Sequence, residues 1–194
     1  HVGENAKGEI KEGDRVTVAP AVGCGECWTC KLGHTNMCNS LTTIGYQYEG
    51  AFAEYMEIPR QAVEMGNIIK IPDDVSDMAA VLSEPAACAL NAQTYLKIKE
   101  EDTVVIYGSG YIGCVHAELA RLAGAKKIIM VEIAKPRAEI AQKMIPDIIM
   151  IDPSEQNTVE EIMRLTDGRG ADVVITALSV PSVHTEAQVI AAKM

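Results

Sequence analysis

Four of the chain's six cysteines fall in one fifteen-residue stretch, "CGECWTCKLGHTNMC", at Cys24, Cys27, Cys30 and Cys38. One Zn²⁺ takes four thiolates at tetrahedral corners, each about 2.3 Å away, and short C-x2-C steps fold a chain back tightly enough to supply them. Gly23, Gly25 and Gly33 give the backbone the freedom such a lobe needs. Four thiolates leave no open position for water. The expected role is therefore structural: a cross-link for a lobe with little apolar core of its own. Other readings stay open on the residues alone. His34, between the third and fourth cysteines, can replace one of them, the thiols can be free in a loop, and four cysteines also suit iron.

A second stretch points to a different chemistry. "GSGYIG" fits G-x-G-x-x-G at Gly108, Gly110 and Gly113, after a buried strand pattern and at the start of a helical one. Gly108 allows the tight turn, Gly110 lets a pyrophosphate approach the backbone, and Gly113 allows close helix–strand packing. The helix start, with Tyr111 and Ile112, offers N–H groups to phosphate oxygens. Glu132 ends the next strand, where a carboxylate accepts the ribose hydroxyls of NAD and repels the 2′-phosphate of NADP. Lys135 and Arg137 lie close by and soften that preference. The plain alternative is a Gly-rich turn in some other nucleotide-binding α/β protein.

Glu84 stands next to Pro85 in an otherwise apolar, Ala-rich segment. Its neighbours point to a buried role; a solvated helix residue is the alternative. Cys88, one helical turn on, can face the same way as Glu84 or serve as a small buried apolar residue. Cys114 reads as core, and His116 and His184 as surface or packing residues.

The elements that must position these groups follow from the pattern. Residues 14–20 and 50–59 alternate like half-buried strands, with Phe52, Glu54 and Met56 on one face of the second, and "IIK" before Pro72 is another short strand. A helix begins at Ser76, whose hydroxyl can cap it, and Pro85 should kink or interrupt it. From residue 102, four buried strands alternate with four helices, the first helix carrying Ile112, Val115, Leu119 and Leu122 at helical spacing. Such alternation means a parallel, doubly wound sheet. The fold class is thus α/β, with a domain boundary near residues 84–98. The 194 residues suffice for one ordinary domain or two small ones, and the net charge of −10 without basic runs argues against nucleic acid as a partner. No stretch is long and apolar enough for a membrane span, and the first residues lack a signal-peptide pattern. The expected compartment is the cytoplasm, where clustered thiols stay reduced and bind metal.

Together these stretches resemble the zinc-dependent medium-chain alcohol/polyol dehydrogenases, the group that includes sorbitol and threonine dehydrogenases. The matching segments are "GDRV", the cysteine lobe, "GAFAEY", Glu84–Pro85, "GSGYIG", Glu132 and "DGRGADVVI". The resemblance implies a partial GroES-like domain with a structural zinc lobe (residues 1–86, lobe 23–39) and a partial Rossmann NAD-binding domain (87–194). It implies hydride transfer between a secondary alcohol or polyol and the nicotinamide, with Glu84 as a ligand of a catalytic zinc and Arg137 near the adenosine. It also implies departures. The family's cysteine and histidine ligands to that zinc belong before residue 1, His1 is not that histidine, and further sheet strands belong after residue 194. On this reading the chain alone has little zinc-dependent turnover. The strand at Asp172–Thr176 becomes an open apolar edge through which copies associate. A non-catalytic zinc- and nucleotide-binding remnant is the alternative.

Overall fold

The computed structural model of the chain describes residues 2–3 and 10–192. His1, and the last two residues of the terminal helical pattern, lie outside the described residues. The chain divides into two compact units, His1–Glu84 and Pro85–Met194.

The first unit is built from short pieces. Strand β1 (Val16–Val18) pairs antiparallel with β4 (Ile68–Lys70), and β2 (Ala21–Val22) pairs with β3 (Thr42–Thr43). Between β2 and β3 lie the one-turn helix α1 (Trp28–Lys31) and a 3₁₀ turn at Thr35–Met37. Helix α2 (Arg60–Glu64) precedes β4. Apolar burial is sparse: Val22, Ala62, Ile71 and Ala80 are its main buried apolar side chains besides two cysteines. Polar bonds do much of the joining. Buried Asn67 donates to the carbonyls of Ala19 (2.7 Å) and Ala21 (2.8 Å), and Arg15 donates to Asp77 and to the Val75 carbonyl.

The strand expected at Gly50–Pro59 is absent; the segment is bends and coil, with Phe52 and Tyr55 fully exposed. Alternation marks a strand only where a neighbouring backbone completes the ladder, and this segment pairs with none among the described residues. The helical pattern from Ser76 is interrupted as expected. Ser76 caps α3 (Asp77–Ala80) by accepting the Ala79 N–H, the chain turns at Val81–Leu82, and α4 (Ser83–Leu96) begins with Pro85 in its first turn. That is where a missing N–H does no harm.

The second unit is a four-stranded parallel sheet: β5 (Thr103–Tyr107), β6 (Lys127–Val131), β7 (Ile149–Ile151) and β8 (Val173–Thr176), in the order β7-β6-β5-β8. Numbered within this unit, the strand order is 3-2-1-4. Every residue of β5 is buried, because both faces are covered. Val104 and Ile106 point into one core with Ala117 and Ala120 of α5 (Tyr111–Leu122) and Ala141 of α6 (Lys135–Met144). Val105 and Tyr107 point into the other, with Ile162 of α7 (Thr158–Leu165) and Ala187 and Ile190 of α8 (Pro181–Ile190).

The apolar stripe read on α5 is not its packed face. Gly113, His116, Ala117 and Ala120 are buried, whereas Ile112 and Leu122 are exposed. Small residues let the helix axis approach the sheet, so the close-packed face is the one with the least apolar bulk. Among the described residues strand β8 pairs with β5, and a bridge joins Ala171 to Ala191 just before its start. Among the described residues no helix is long and apolar enough to cross a membrane.

Candidate metal and dinucleotide sites

The cysteine lobe is assembled by two reversals of the chain. Gly25 and Gly33 take left-handed φ values of +76° and +86°, as these reversals require. Gly23 is needed for a different reason from the one read in the sequence. Its φ is ordinary, but a Cβ there would stand 3.0 Å from Cys30 Sγ and 3.2 Å from Thr35 Cβ. Cys27, Cys30 and Cys38 then converge with Cys24, their sulphurs all within 4.8 Å of one another.

This set fits a single tetrahedral ion. Metal–sulphur bonds of about 2.3 Å place sulphurs about 3.8 Å apart, and Cys27 Sγ lies 3.8 Å from Cys38 Sγ. None of the six cysteines is in a disulfide. Backbone N–H groups already point at sulphur: Cys24 and Ser40 donate to Cys38 Sγ, and Cys27 donates to Cys24 Sγ, each at 3.3 Å. Such donors favour thiolates. The Thr29 hydroxyl, then the N–H groups of Cys30 and Asn39, hold the Cys27 thiol down to about 5, while burial pushes Cys30 up to about 11. Four thiolates this close cannot coexist without a cation between them. His34 is exposed and stands outside the group. The compactness suits one ion better than a multi-iron cluster.

The glycine turn joins β5 to α5. Gly108 has φ +93°, and a Cβ on it would meet the Ala177 carbonyl at 3.1 Å. Gly113 packs against the turn so closely that a Cβ would lie 1.9 Å from the Gly108 oxygen. Gly110 differs from both: its φ is ordinary and a Cβ there would meet nothing within 4 Å. Open space above Gly110 is what a ligand approaching the backbone needs. No side chain caps α5 at Gly110, and no acidic residue occupies its first turn, where Tyr111 and Ile112 lie at the surface. An uncapped helix N-terminus of this kind attracts phosphate.

Glu132 follows β6 and is buried at 7% exposure, an unusual place for a carboxylate. Its Oε2 accepts the Ser109 N–H (2.9 Å) and the Ser109 hydroxyl (3.1 Å), and its Oε1 accepts the Ala134 N–H (2.8 Å). Burial acts to raise its pKa. The N–H groups of Ser109 and Ala134, the Ser109 hydroxyl and the Arg137 charge outweigh that and hold it below the usual carboxylate range. The turn, the open helix end and the fixed anion fit a dinucleotide with free ribose hydroxyls.

The burial expected for Glu84 is corrected. It is exposed in the first turn of α4, lining a largely apolar cleft of about 620 Å³ with Val16, Ile44, Met56, Ile71 and Val81. A carboxylate is favoured at a helix N-terminus without burial. Among the described residues it joins no group of three or more metal-ligating side chains. Cys88 is exposed rather than buried, since the buried line of α4 runs through Ala89 and Gln93 and leaves position 88 to one side. Cys114 packs at the rim of one sheet core.

Several contacts escaped the sequence reading. The clamp of Ser109 on Glu132 is one; the residue is the unnamed x of G-x-G. A second is Gln93, whose amide reaches the His116 carbonyl (2.7 Å) and its ring Nδ1 (3.1 Å); burial lowers the His116 pKa. A third is the Tyr107 hydroxyl, which donates to Glu186 Oε1 at 2.9 Å. Only the buried, apolar setting of β5 gives a hint that a tyrosine there needs a partner.

Comparison with known proteins agrees with this geometry. A family described as alcohol dehydrogenase GroES-like domain matches residues 1–73, and one described as zinc-binding dehydrogenase matches residues 112–193. L-threonine 3-dehydrogenase of Shewanella putrefaciens is 33% identical over 181 residues, 93% of this chain and 51% of that protein. The protein named "Probable D-xylulose reductase A" of Aspergillus clavatus is 34% identical over 182 residues, 91% of this chain and 49% of that one. The solved structure of "a putative zinc-binding dehydrogenase" of Sinorhizobium meliloti, bound to NADP, superimposes with a TM-score of 0.86 at 32% identity, covering 96% of this chain and 54% of its own. The chain thus spans about half the length of the curated relatives it matches. With its cysteine lobe, its glycine turn and its four-stranded parallel sheet, the chain belongs to the zinc-dependent medium-chain alcohol/polyol dehydrogenase family.

Proposed function

We propose that this chain provides the dinucleotide-binding unit and the zinc-clamped lobe of an NAD-dependent oxidoreductase that moves hydride between a secondary alcohol or polyol and the nicotinamide. The observation that carries this reading is the glycine turn with the buried, ionised Glu132 beside it. Gly108, Gly110 and Gly113, with the N–H groups of Tyr111 and Ile112, cradle the pyrophosphate. Glu132 accepts from the adenosine ribose, and Arg137 at the start of α6 lies beside the adenosine. NAD, when bound, supplies the hydride acceptor. The Sinorhizobium relative holds NADP, and Lys135 and Arg137 would tolerate a 2′-phosphate. The fixed charge on Glu132 decides for NAD, because a second anion at that ribose would be repelled.

Cys24, Cys27, Cys30 and Cys38 hold zinc as a cross-link. Four thiolates complete the shell, so the lobe orders the chain and leaves no open position for substrate. The reduced state of these thiols favours a cytoplasmic setting.

A second reading, a zinc- and nucleotide-binding protein without turnover of its own, is favoured by the exposed position of Glu84. In that reading the open side of β8 recruits a second copy. Titration with NAD, an alcohol and polyol activity panel, and light scattering separate the readings. Saturable NAD binding with negligible turnover, unchanged by Glu84→Ala, supports the second. Turnover abolished by Glu84→Ala supports a working catalytic centre. A monodisperse monomer at micromolar concentration removes the self-association.

A further inference from the structure

The carboxylate assigned to the ribose is already heavily engaged. An ionised carboxylate offers about four acceptor places, and protein donors fill three of those on Glu132. Two of the three come from one residue, Ser109, and both go to Oε2. Ser109 is itself buried at 5% exposure and lies between Gly108 and Gly110, in the turn assigned to the pyrophosphate. Its hydroxyl does not cap α5, although it sits one residue before the N-cap. It is turned instead toward the strand end. The third donor, Ala134 N–H, is followed by Lys135 and Arg137, so Glu132 stands among donors and cations. Without its carboxylate that pocket would be electropositive and suited to phosphate.

We infer that Ser109 is a positioning residue for cofactor discrimination: its N–H and hydroxyl pin Oε2 of Glu132, fixing the carboxylate with Oε1 toward the ribose and its charge against a 2′-phosphate. This rests on the dinucleotide reading above. The consequence follows from geometry. A carboxylate held by one fewer donor can rotate about its last torsion, which is broad for sp³–sp² bonds. Rotation weakens the ribose contact and lets the negative charge move away from an incoming phosphate, so NAD is lost and NADP is not. The residue between the first two glycines thus couples the phosphate turn to the ribose acid.

The test uses the full chain, with NAD and NADP as probes in direct binding titrations at constant ionic strength. The variants are Ser109→Ala, Ser109→Gly as a second hydroxyl deletion, Glu132→Ala, and Ser109→Ala with Glu132→Ala, each checked for wild-type circular dichroism. Ser109→Ala is expected to weaken NAD by about 3- to 10-fold, the size of one ordinary net hydrogen bond, because two backbone N–H donors still hold Glu132. NADP affinity is expected to hold or rise, so the discrimination ratio falls. In the Glu132→Ala background the same change should alter NAD affinity less than about twofold, because its partner is gone. The inference is overturned if Ser109→Ala leaves the ratio unchanged, if it weakens both cofactors alike, or if its effect persists undiminished without Glu132. Wild-type chain that binds neither dinucleotide refutes the underlying site, a result distinct from these.

Discussion

The two units hold themselves together by different means. In the second, the strand interior carries the load: Val104, Val105, Ile106 and Ile129 are fully buried between helices on both faces. Each such side chain contributes about 1.5–3 kcal/mol by leaving water. In the first unit few apolar groups are buried, while Trp28, Leu32, Met37, Phe52 and Tyr55 stay exposed. What gathers residues 23–39 is the convergence of four sulphurs. A unit with a core has one cooperative source of stability, whereas a unit without one borrows it from a metal.

Removal of the metal should break this comparison most sharply. Chelation, or Cys38→Ser, should release about one zinc per chain and open the lobe, read as rapid tryptic cleavage at Lys31. The second unit's helical circular dichroism should persist, because its two core clusters are built from its own residues. Ile106→Ala should do the reverse. It should destabilise the second unit by about 2–5 kcal/mol in urea unfolding while zinc content stays at the wild-type value.

The glycine turn offers a finer division. Gly113→Ala drives a Cβ into the Gly108 oxygen and should cost both stability and NAD binding. Gly110→Ala meets nothing in the protein and should leave the unfolding midpoint unchanged while weakening NAD. Acid gives the smallest effect on the second unit. The Arg169 guanidinium beside Asp172 and the Thr103 N–H it accepts hold that carboxyl low against burial, and Glu132 is held low as well. A carboxyl lowered in the folded state stabilises above its unfolded pKa of about 4 and loses that contribution as pH falls through the folded value. Urea midpoints of the second unit should therefore be flat from pH 7 to about 5 and decline below about 4. Asp172→Asn should shrink that decline. The lobe should lose its metal at higher pH than this, since protons compete for thiolates before they reach these carboxylates.

What was legible in the sequence was local. Cysteine spacing, the glycine turn and the β-α alternation each encode their chemistry within a few residues. What escaped depends on partners distant in sequence. The alternation at Gly50–Pro59 has the signature of a strand but lacks a ladder. The stripe of large residues on α5 looked like its core face, yet Ala117 and Ala120 pack because they are small. Glu84 seemed buried from its neighbours, but a helix start holds a carboxylate in water. The bond from Tyr107 to Glu186 spans 79 positions, and no local pattern announces it. Ser109 and Glu132 are 23 apart; the acid was readable, and the hydroxyl that steadies it was not.

The most direct test is native mass spectrometry of the purified chain, as isolated and with NAD added. The account predicts one zinc per chain, lost on Cys38→Ser but retained on Glu84→Ala, with one NAD added to the zinc-loaded species. A chain that carries no metal, or keeps its zinc after Cys38→Ser, would contradict it.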